Sequence, residues 1–306
     1  MRSLLFVPAD SERKLAKGAG AGADALILDL EDSVAAERKV LARSMSREFL
    51  THAASSGPRL WVRLNDLASG ELLADLAAIV PARPAGLVLP KVRGPEDIVR
   101  VSHYLEALEA AHGLQTPIGL LALVTETAAG VLRIGELLGR MPARLAALSW
   151  GAEDLSAAMG AGDPRTASGE WRATYQYART QCLLGAHALE VEAIDTVYVD
   201  FRDSAGLAAA CAASRHDGFS GRLAIHPDQV AVINEAFTPS AAELAHAHRV
   251  IEAFAGGAGT VSIEGKMYDR PHLRAAQRML AAAGAGAATG AGADATAGSA
   301  LRTGGV

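Results

Sequence analysis

Cysteine is scarce in this chain. Cys182 and Cys211 are the two present in 306 residues, and neither sits in a CxxC or Cys/His cluster. That speaks against a disulfide framework and against a structural zinc site. Both thiols lie in Ala/Leu-rich helical stretches, the usual setting of buried cysteines. A basic surplus is also missing. Charged residues make up 21% of the chain, and the formal net charge is −5, so electrostatics give no reason to expect nucleic acid. Small basic clusters such as Arg13-Lys14 and Arg38-Lys39 read as solvated helix faces. Long hydrophobic runs are absent as well. The N-terminal apolar run stops at Pro8 and is too short for a signal peptide. No segment approaches the roughly 18 apolar residues of a membrane span. The expected location is a reducing cytoplasm, with no membrane and no nucleic acid as partner.

Apolar residues are abundant, at 50% of the chain, enough to bury one full core. Short apolar runs alternate with longer helical patterns. The expected strands are Ser3–Val7, Ala25–Leu30, Leu60–Leu64, Gly86–Pro90, Ile118–Val124, Leu145–Trp150, a weaker one from Glu192 to Ile194, and Leu223–Ile225. Several runs are continuous rather than alternating, as in parallel strands buried on both faces. Helical patterns lie between them, for example Ala36–His52, Pro95–His112 and Glu170–His187. Eightfold strand–helix alternation predicts an α/β fold of the (β/α)8 TIM-barrel type rather than an open doubly wound sheet.

Gly18–Asp24, GAGAGAD, is superficially a dinucleotide fingerprint, but it follows a helical pattern and precedes a strand. The fingerprint requires the reverse context, so a helix end and turn is expected here. The barrel is expected over residues 1–237. Ser240 and Glu243 then have capping-box spacing and open a C-terminal helical extension over residues 238–280. Residues 281–306 contain 18 Ala or Gly and are expected to be disordered or loosely helical.

Barrel active sites lie at the C-terminal strand ends, and here those ends are rich in ionisable groups. They read Asp29-Leu30-Glu31-Asp32, Arg63-Leu64-Asn65, Lys91, Glu126-Thr127, Gly151-Ala152-Glu153-Asp154, Asp195 and His226-Pro227. Helix caps account for some of these, but poorly for Arg63, Lys91 and Glu126. Carboxylates without His or Cys partners suit a hard cation such as magnesium, with Glu126 and Asp154 as the best pair. Caps or salt-bridge partners remain the alternative for both. Arg63 fits a bidentate clamp for a carboxylate or phosphate, or else a rim ion pair with one of the acids.

Eight segments then occur in order: RSLLFVPA (2–9), LDLEDSV (28–34), VRLN (62–65), LPKV (89–92), ETA (126–128), WGAEDLSAAMG (150–160), IHP (225–227) and GKMYDRPHL (265–273). Together they resemble successive motifs of the citrate lyase beta-subunit-like, or HpcH/HpaI aldolase, superfamily, from residue 2 to about residue 280. Its members include malyl-CoA, β-methylmalyl-CoA and citramalyl-CoA lyases and the citryl-carrier lyase subunit of citrate lyase. The resemblance implies a magnesium- or manganese-dependent CoA-ester lyase on a TIM barrel, assembled as a trimer or hexamer. It implies Glu126 and Asp154 as metal ligands and Arg63 as the grip on a 2-oxo acid carboxylate, aided by backbone amides around Gly151 and Ala152. Asp269 would be the acid/base delivered from a neighbouring subunit. Arg13 and Lys14 would meet the phosphates of CoA.

The implied reaction cleaves a 3-hydroxyacyl-CoA into an acyl-CoA enolate and a 2-oxo acid. The metal stabilises the developing oxyanion, and Asp269 handles the proton on the enolate carbon. Lys91 as an imine-forming nucleophile is the lesser reading beside a structural or electrostatic role. Two alternatives stand beside the free CoA-ester lyase. One is a citryl-carrier lyase beta subunit within a citrate lyase complex, and the other is a non-catalytic barrel subunit.

Overall fold

The computed structural model describes residues 1–54, 56–139 and 141–288. Eight parallel strands close into a barrel in chain order, with the last pairing to the first. They are β1 (Ser3–Pro8), β2 (Ala25–Asp29), β3 (Arg59–Arg63), β4 (Gly86–Leu89), β5 (Gly119–Leu123), β6 (Leu145–Ser149), β7 (Glu192–Asp195) and β8 (Gly221–Ala224). The helices around them are α1 (Glu12–Ala19), α2 (Lys39–His52), α3 (Leu72–Ile79), α4 (Pro95–Ala111), α5 (Ala128–Arg133), α6 (Ala152–Met159), α7 (Ala173–Ala188), α8 (Ser204–Asp217) and α9 (Asp228–Phe237). This is the expected TIM barrel, and each expected strand overlaps an observed one, the weak seventh included. Gly18–Asp24 forms the end of α1 and the turn into β2, as its context required.

Strand alternation sorts the side chains into two cores. Leu4, Ile27, Trp61, Val88, Leu121 and Leu223 fill the barrel interior. Their neighbours, such as Leu26, Leu28, Val62 and Leu87, pack outward beneath the helices. All five residues of β2 are buried, which is why its sequence reads as a continuous apolar run. Gly86 makes room for the interior Trp61 ring: a Cβ there would lie 2.2 Å from Trp61 Cζ3.

The same alternation decides what reaches the barrel mouth. Two residues beyond Ile27 and Trp61, on the same face, come Asp29 and Arg63. They are register partners across β2 and β3.

Met1–Phe237 forms one compact unit and a second begins at Thr238. The second contains α10 (Ala241–Ala253), an antiparallel hairpin of β9 (Thr260–Ile263) and β10 (Lys266–Asp269), and α11 (Arg270–Ala288). Ser240 and Glu243 form the expected capping box. Ala247, Val250, Phe254 and Ala276 make its small core. Helix α11 runs through the first residues of the Ala/Gly-rich stretch, and the rest of the expected tail, residues 289–306, lies outside the described residues. Among the described residues, no helix is long and apolar enough to cross a membrane.

Candidate active site

Arg63, at the end of β3, meets Asp29 at two points. Its Nε donates to Oδ1 and its Nη2 to Oδ2, each at 2.7 Å. Nη1 lies 2.9 Å from Glu31 Oε2. The angle there is not that of a hydrogen bond, so Glu31 Oε2 is buried with charge beside it but no hydrogen-bond donor. Burial opposes the charge on Arg63, yet Asp29, Glu31 and Glu126 outweigh it and hold the guanidinium above its ordinary range. The Phe6 ring lies against the guanidinium, 4.7 Å from Cζ to the ring centroid. Arg63 thus makes the rim ion pair that was one of its two expected readings.

Lys91 follows β4 and takes a left-handed conformation, φ 53°, unusual for a residue with a Cβ. The turn aims its backbone N–H at Glu126 Oε2, 2.6 Å away. The side chain runs across the mouth to Glu31 Oε1 at 2.7 Å, with Asp32 at 3.3 Å and Asp154 at 3.7 Å. Burial disfavours its charge, but these three acids prevail and raise the Lys91 ammonium above the usual lysine range. An ammonium held in this way is a poor nucleophile, because imine formation needs the free amine. These contacts are those of the structural or electrostatic reading of Lys91.

Glu126 is nearly fully buried beyond β5. Burial, and then the charge of Asp154, push its carboxyl up to about 8. Burial likewise pushes Glu31 up to about 7, against the pull of Arg63 and Lys91. Two carboxyls held up in this way, with Asp154 and Glu31 adding to the burial of Glu126, mark a site short of positive charge. Gly151 borders Glu126 so closely that a Cβ would lie 2.8 Å from Glu126 Cγ and 3.0 Å from Oε1. Only glycine leaves that flank of the carboxylate open. Asp154 sits in the first turn of α6 and is half-buried.

Among the described residues, no three His, Cys, Asp or Glu side chains converge as a complete metal cage. Magnesium does not require one. It takes one or two carboxylates and fills its octahedron with water and substrate oxygens. The all-oxygen donor pair Glu126 and Asp154, with the Gly151 flank of Glu126 open and the charge of Asp154 pushing the Glu126 carboxyl up, fits that ion.

The amides expected to help hold a carboxylate divide into two kinds. The Gly151 N–H is engaged by Thr125 Oγ1 at 3.2 Å. Ala152 is the first helical residue of α6, where N–H groups lack intrahelical partners. Arg13 and Lys14 are exposed on α1, which follows β1. Asp269 ends β10 in the second unit.

Not every ionisable strand end lines the mouth. Asp195 turns outward toward α8 and is buried behind the barrel, where Trp150 Nε1, the Thr196 N–H, Ser214 Oγ and Arg222 Nη2 all donate to it. Asn65 is likewise structural: it accepts from Lys39 Nζ at 2.7 Å, and its side-chain amide donates to buried Asp75 at 2.8 Å. Sequence reasoning underrated Asp29 and Glu31. The signal was available, since both stand in the LDLEDSV segment at the end of β2.

A sequence model of the HpcH/HpaI aldolase/citrate lyase family matches residues 2–227. Citramalyl-CoA lyase, mitochondrial, of Rattus norvegicus is 35% identical over 295 residues, spanning 91% of this chain and 85% of its own. The (3S)-malyl-CoA thioesterase of Cereibacter sphaeroides is 35% identical over 286 residues, spanning 92% and 94%. A crystal structure of CitE from Mycobacterium tuberculosis in complex with magnesium, acetoacetate and coenzyme A superposes with a TM-score of 0.76. It shares 33% identity and covers 92% of this chain and 98% of its own. The motifs, the closed barrel and the acidic mouth have one explanation: the chain belongs to the HpcH/HpaI aldolase/citrate lyase family.

Proposed function

We propose that this chain is a magnesium-dependent CoA-ester lyase. It cleaves or forms a 3-hydroxyacyl-CoA of the malyl, methylmalyl or citramalyl type, with an acyl-CoA and a 2-oxo acid on the other side of the reaction. The observation that carries this reading is the pairing of buried Glu126 with half-buried Asp154 beside the Arg63–Lys91 cations. Carboxylates for a hard cation and a guanidinium for an oxo acid stand at one barrel mouth. Relatives named for citramalyl-CoA and malyl-CoA, and a CitE structure holding magnesium and coenzyme A, support the same chemistry. A non-catalytic barrel would have no need of this arrangement.

In this reading Glu126 and Asp154 hold the metal. Magnesium supplies a Lewis acid where negative charge develops on the oxo-acid side, worth several kcal/mol. Arg63 and the Ala152 N–H orient the oxo-acid carboxylate. Asp29 holds Arg63 in register, and Lys91 balances Glu31 and Asp154. Arg13 and Lys14 meet the CoA phosphates. Asp269, supplied by a neighbouring copy in a trimer or hexamer, gives or takes the proton at the acyl-CoA carbon. A cytoplasmic location belongs to the same proposal, in keeping with two free, buried cysteines.

The test is a panel of malyl-, β-methylmalyl-, citramalyl- and citryl-CoA with acyl-CoA, free CoA and oxo acid resolved as separate products. Release of acyl-CoA and oxo acid in equal amounts supports the lyase. Release of free CoA with an intact hydroxy acid would instead favour thioester hydrolysis, the activity named for the Cereibacter relative. Turnover of none of the free thioesters would favour a carrier-bound substrate and a citrate lyase complex.

A further inference from the structure

The two sides of the barrel mouth differ in chemistry. Asp29, Arg63, Lys91, Glu126 and Asp154 stand at the ends of β2 to β6 and make one side charged. The side built by β7, β8 and β1 is apolar. Along β8 the side chains alternate: Arg222 turns outward to Asp195, Leu223 belongs to the barrel interior, and Ala224 packs beneath the helices. The next residue, Ile225, continues the alternation and faces the mouth. On β1 Leu4 is inside, Leu5 is outside, and Phe6 packs against the interior cluster. Leu4 pairs with Leu223 and Leu5 with Ala224, so the same register sets Phe6 beside Ile225. Val197, beyond β7, packs against the same interior cluster. The Phe6 ring lies against Arg63, 4.7 Å from its Cζ, so the apolar side begins where the charged side ends.

Packing of the barrel does not account for Ile225. It is 41% exposed, whereas Leu223 and Ala224 are buried. The ionisable groups at these three strand ends are engaged elsewhere. Asp195 and Arg222 bond each other behind the barrel wall. Asp10, after β1, pairs with Arg38. The His226 ring stacks on Phe201, 4.6 Å between centroids, and its Nδ1 accepts from the Asp228 N–H.

We infer that Phe6 and Ile225 read the substituent on the oxo-acid carbon, and that they select 2-oxo acids with a single carboxylate, such as glyoxylate or pyruvate, over those with a second one, such as oxaloacetate. The inference rests on the proposed lyase reading, with Arg63 as the grip on the oxo acid. The carbon that becomes the oxo carbon bears a carboxylate, a hydroxyl, the acyl-CoA carbon and one substituent. With the carboxylate at Arg63 and the hydroxyl toward Glu126 and Asp154, both oxygen groups occupy the charged side. The acyl-CoA carbon and the substituent are left for the apolar side. A hydrogen or a methyl group suits that wall. A CH2–carboxylate would bring a charge against it, stripped of water and without a partner, which is costly. Malyl-, methylmalyl- and citramalyl-CoA thus fall in the accepted class and citryl-CoA in the rejected one.

The experiment compares kcat/KM for citryl-CoA with that for the better of malyl- and citramalyl-CoA, using the full-length protein with magnesium. The wild type should disfavour citryl-CoA by about a hundredfold or more. Ile225→Arg offers the second carboxylate a guanidinium and should narrow that ratio about tenfold or more. Ile225→Asn, neutral but able to donate a hydrogen bond, should narrow it by less, and it carries the test if circular dichroism shows that Ile225→Arg does not fold. A merely structural role for Ile225 would lower turnover of every thioester alike and leave the ratio fixed. A wild type that cleaves citryl-CoA as well as the other two, or folded Ile225 variants with an unchanged ratio, overturns the inference and leaves the lyase reading standing. A wild type that cleaves none of the three overturns the lyase reading and the inference with it.

Discussion

Asp29 and Arg63 stand opposite each other on adjacent strands and are joined by two hydrogen bonds of 2.7 Å. One strand register therefore fixes both the guanidinium and the carboxylate that orients it. Arg63→Lys keeps the charge but loses the planar fork. A lost charged hydrogen bond costs about 1.5–3 kcal/mol, so the apparent affinity for the oxo acid should fall about tenfold or more, with CoA binding affected less. Asp29→Asn should do similar damage from one step away and lower stability by about 3 kcal/mol, as when one partner of a buried pair is removed. Unchanged oxo-acid affinity in both variants would leave Arg63 a purely structural ion pair.

Lys91 is charged, anchored to Glu31 and close to Asp154. Borohydride added during turnover should therefore trap no oxo-acid adduct on this residue, as judged by intact mass. Lys91→Met should lower kcat through the unbalanced acids, and the magnesium concentration for half-maximal activity should fall, because the acids lose a competing cation. A reduced adduct mapped to Lys91 would restore the imine mechanism.

Asp195 lies between the barrel wall and α8, bonded to Ser214 and Arg222. Burial alone would raise its carboxyl, but Arg222, Arg179, Ser214 and Trp150 outweigh that and hold it below its ordinary range. A depressed carboxylate contributes stability that is present above its unfolded value, about pH 4, and is lost as pH falls through the folded value. Denaturant midpoints should therefore drop below about pH 4 in the wild type and less steeply in Asp195→Asn. At neutral pH that variant should be destabilised by about 3–5 kcal/mol. Equal acid slopes in the two proteins would assign the loss to other groups.

The proposed sharing of active sites between copies can be tested by mixing variants. Glu126→Gln and Asp269→Asn should each be inactive alone. Mixed under conditions that exchange subunits, they should regain part of the activity, because some sites would pair an intact Glu126 with an intact Asp269. Demonstrated exchange without recovery, or a fully active monomer, would show that Asp269 does not act across an interface.

The fold was readable because its signals are local. Continuous apolar runs such as Ala25–Leu28 announce strands buried on both faces, and Ser240 with Glu243 announces a helix start. The ionisable strand ends were readable as a class, but their directions were not. Asp29 and Asp195 both end strands, yet Asp29 faces the barrel interior and Asp195 the surrounding helices. That parity follows from which neighbours pack inside, and short apolar runs buried on both sides carry no alternation to reveal it. The left-handed turn at Lys91 was equally silent, since lysine is not a residue type that signals positive φ. The pairing of Asp269 with His272, three apart at a strand–helix junction, needed the geometry of that junction.

Glu126 and Asp154 are the proposed metal ligands, and the whole of the proposed chemistry depends on them. The direct measurement follows 2-oxo acid release from the preferred thioester while magnesium is stripped by chelation and then restored, in the wild type and in Glu126→Gln. Wild-type release should stop on chelation and return with added magnesium. Glu126→Gln should remain folded by circular dichroism and stay inactive at magnesium concentrations that saturate the wild type. Steady release in the chelated wild type, or full activity of Glu126→Gln at limiting magnesium, would contradict the account.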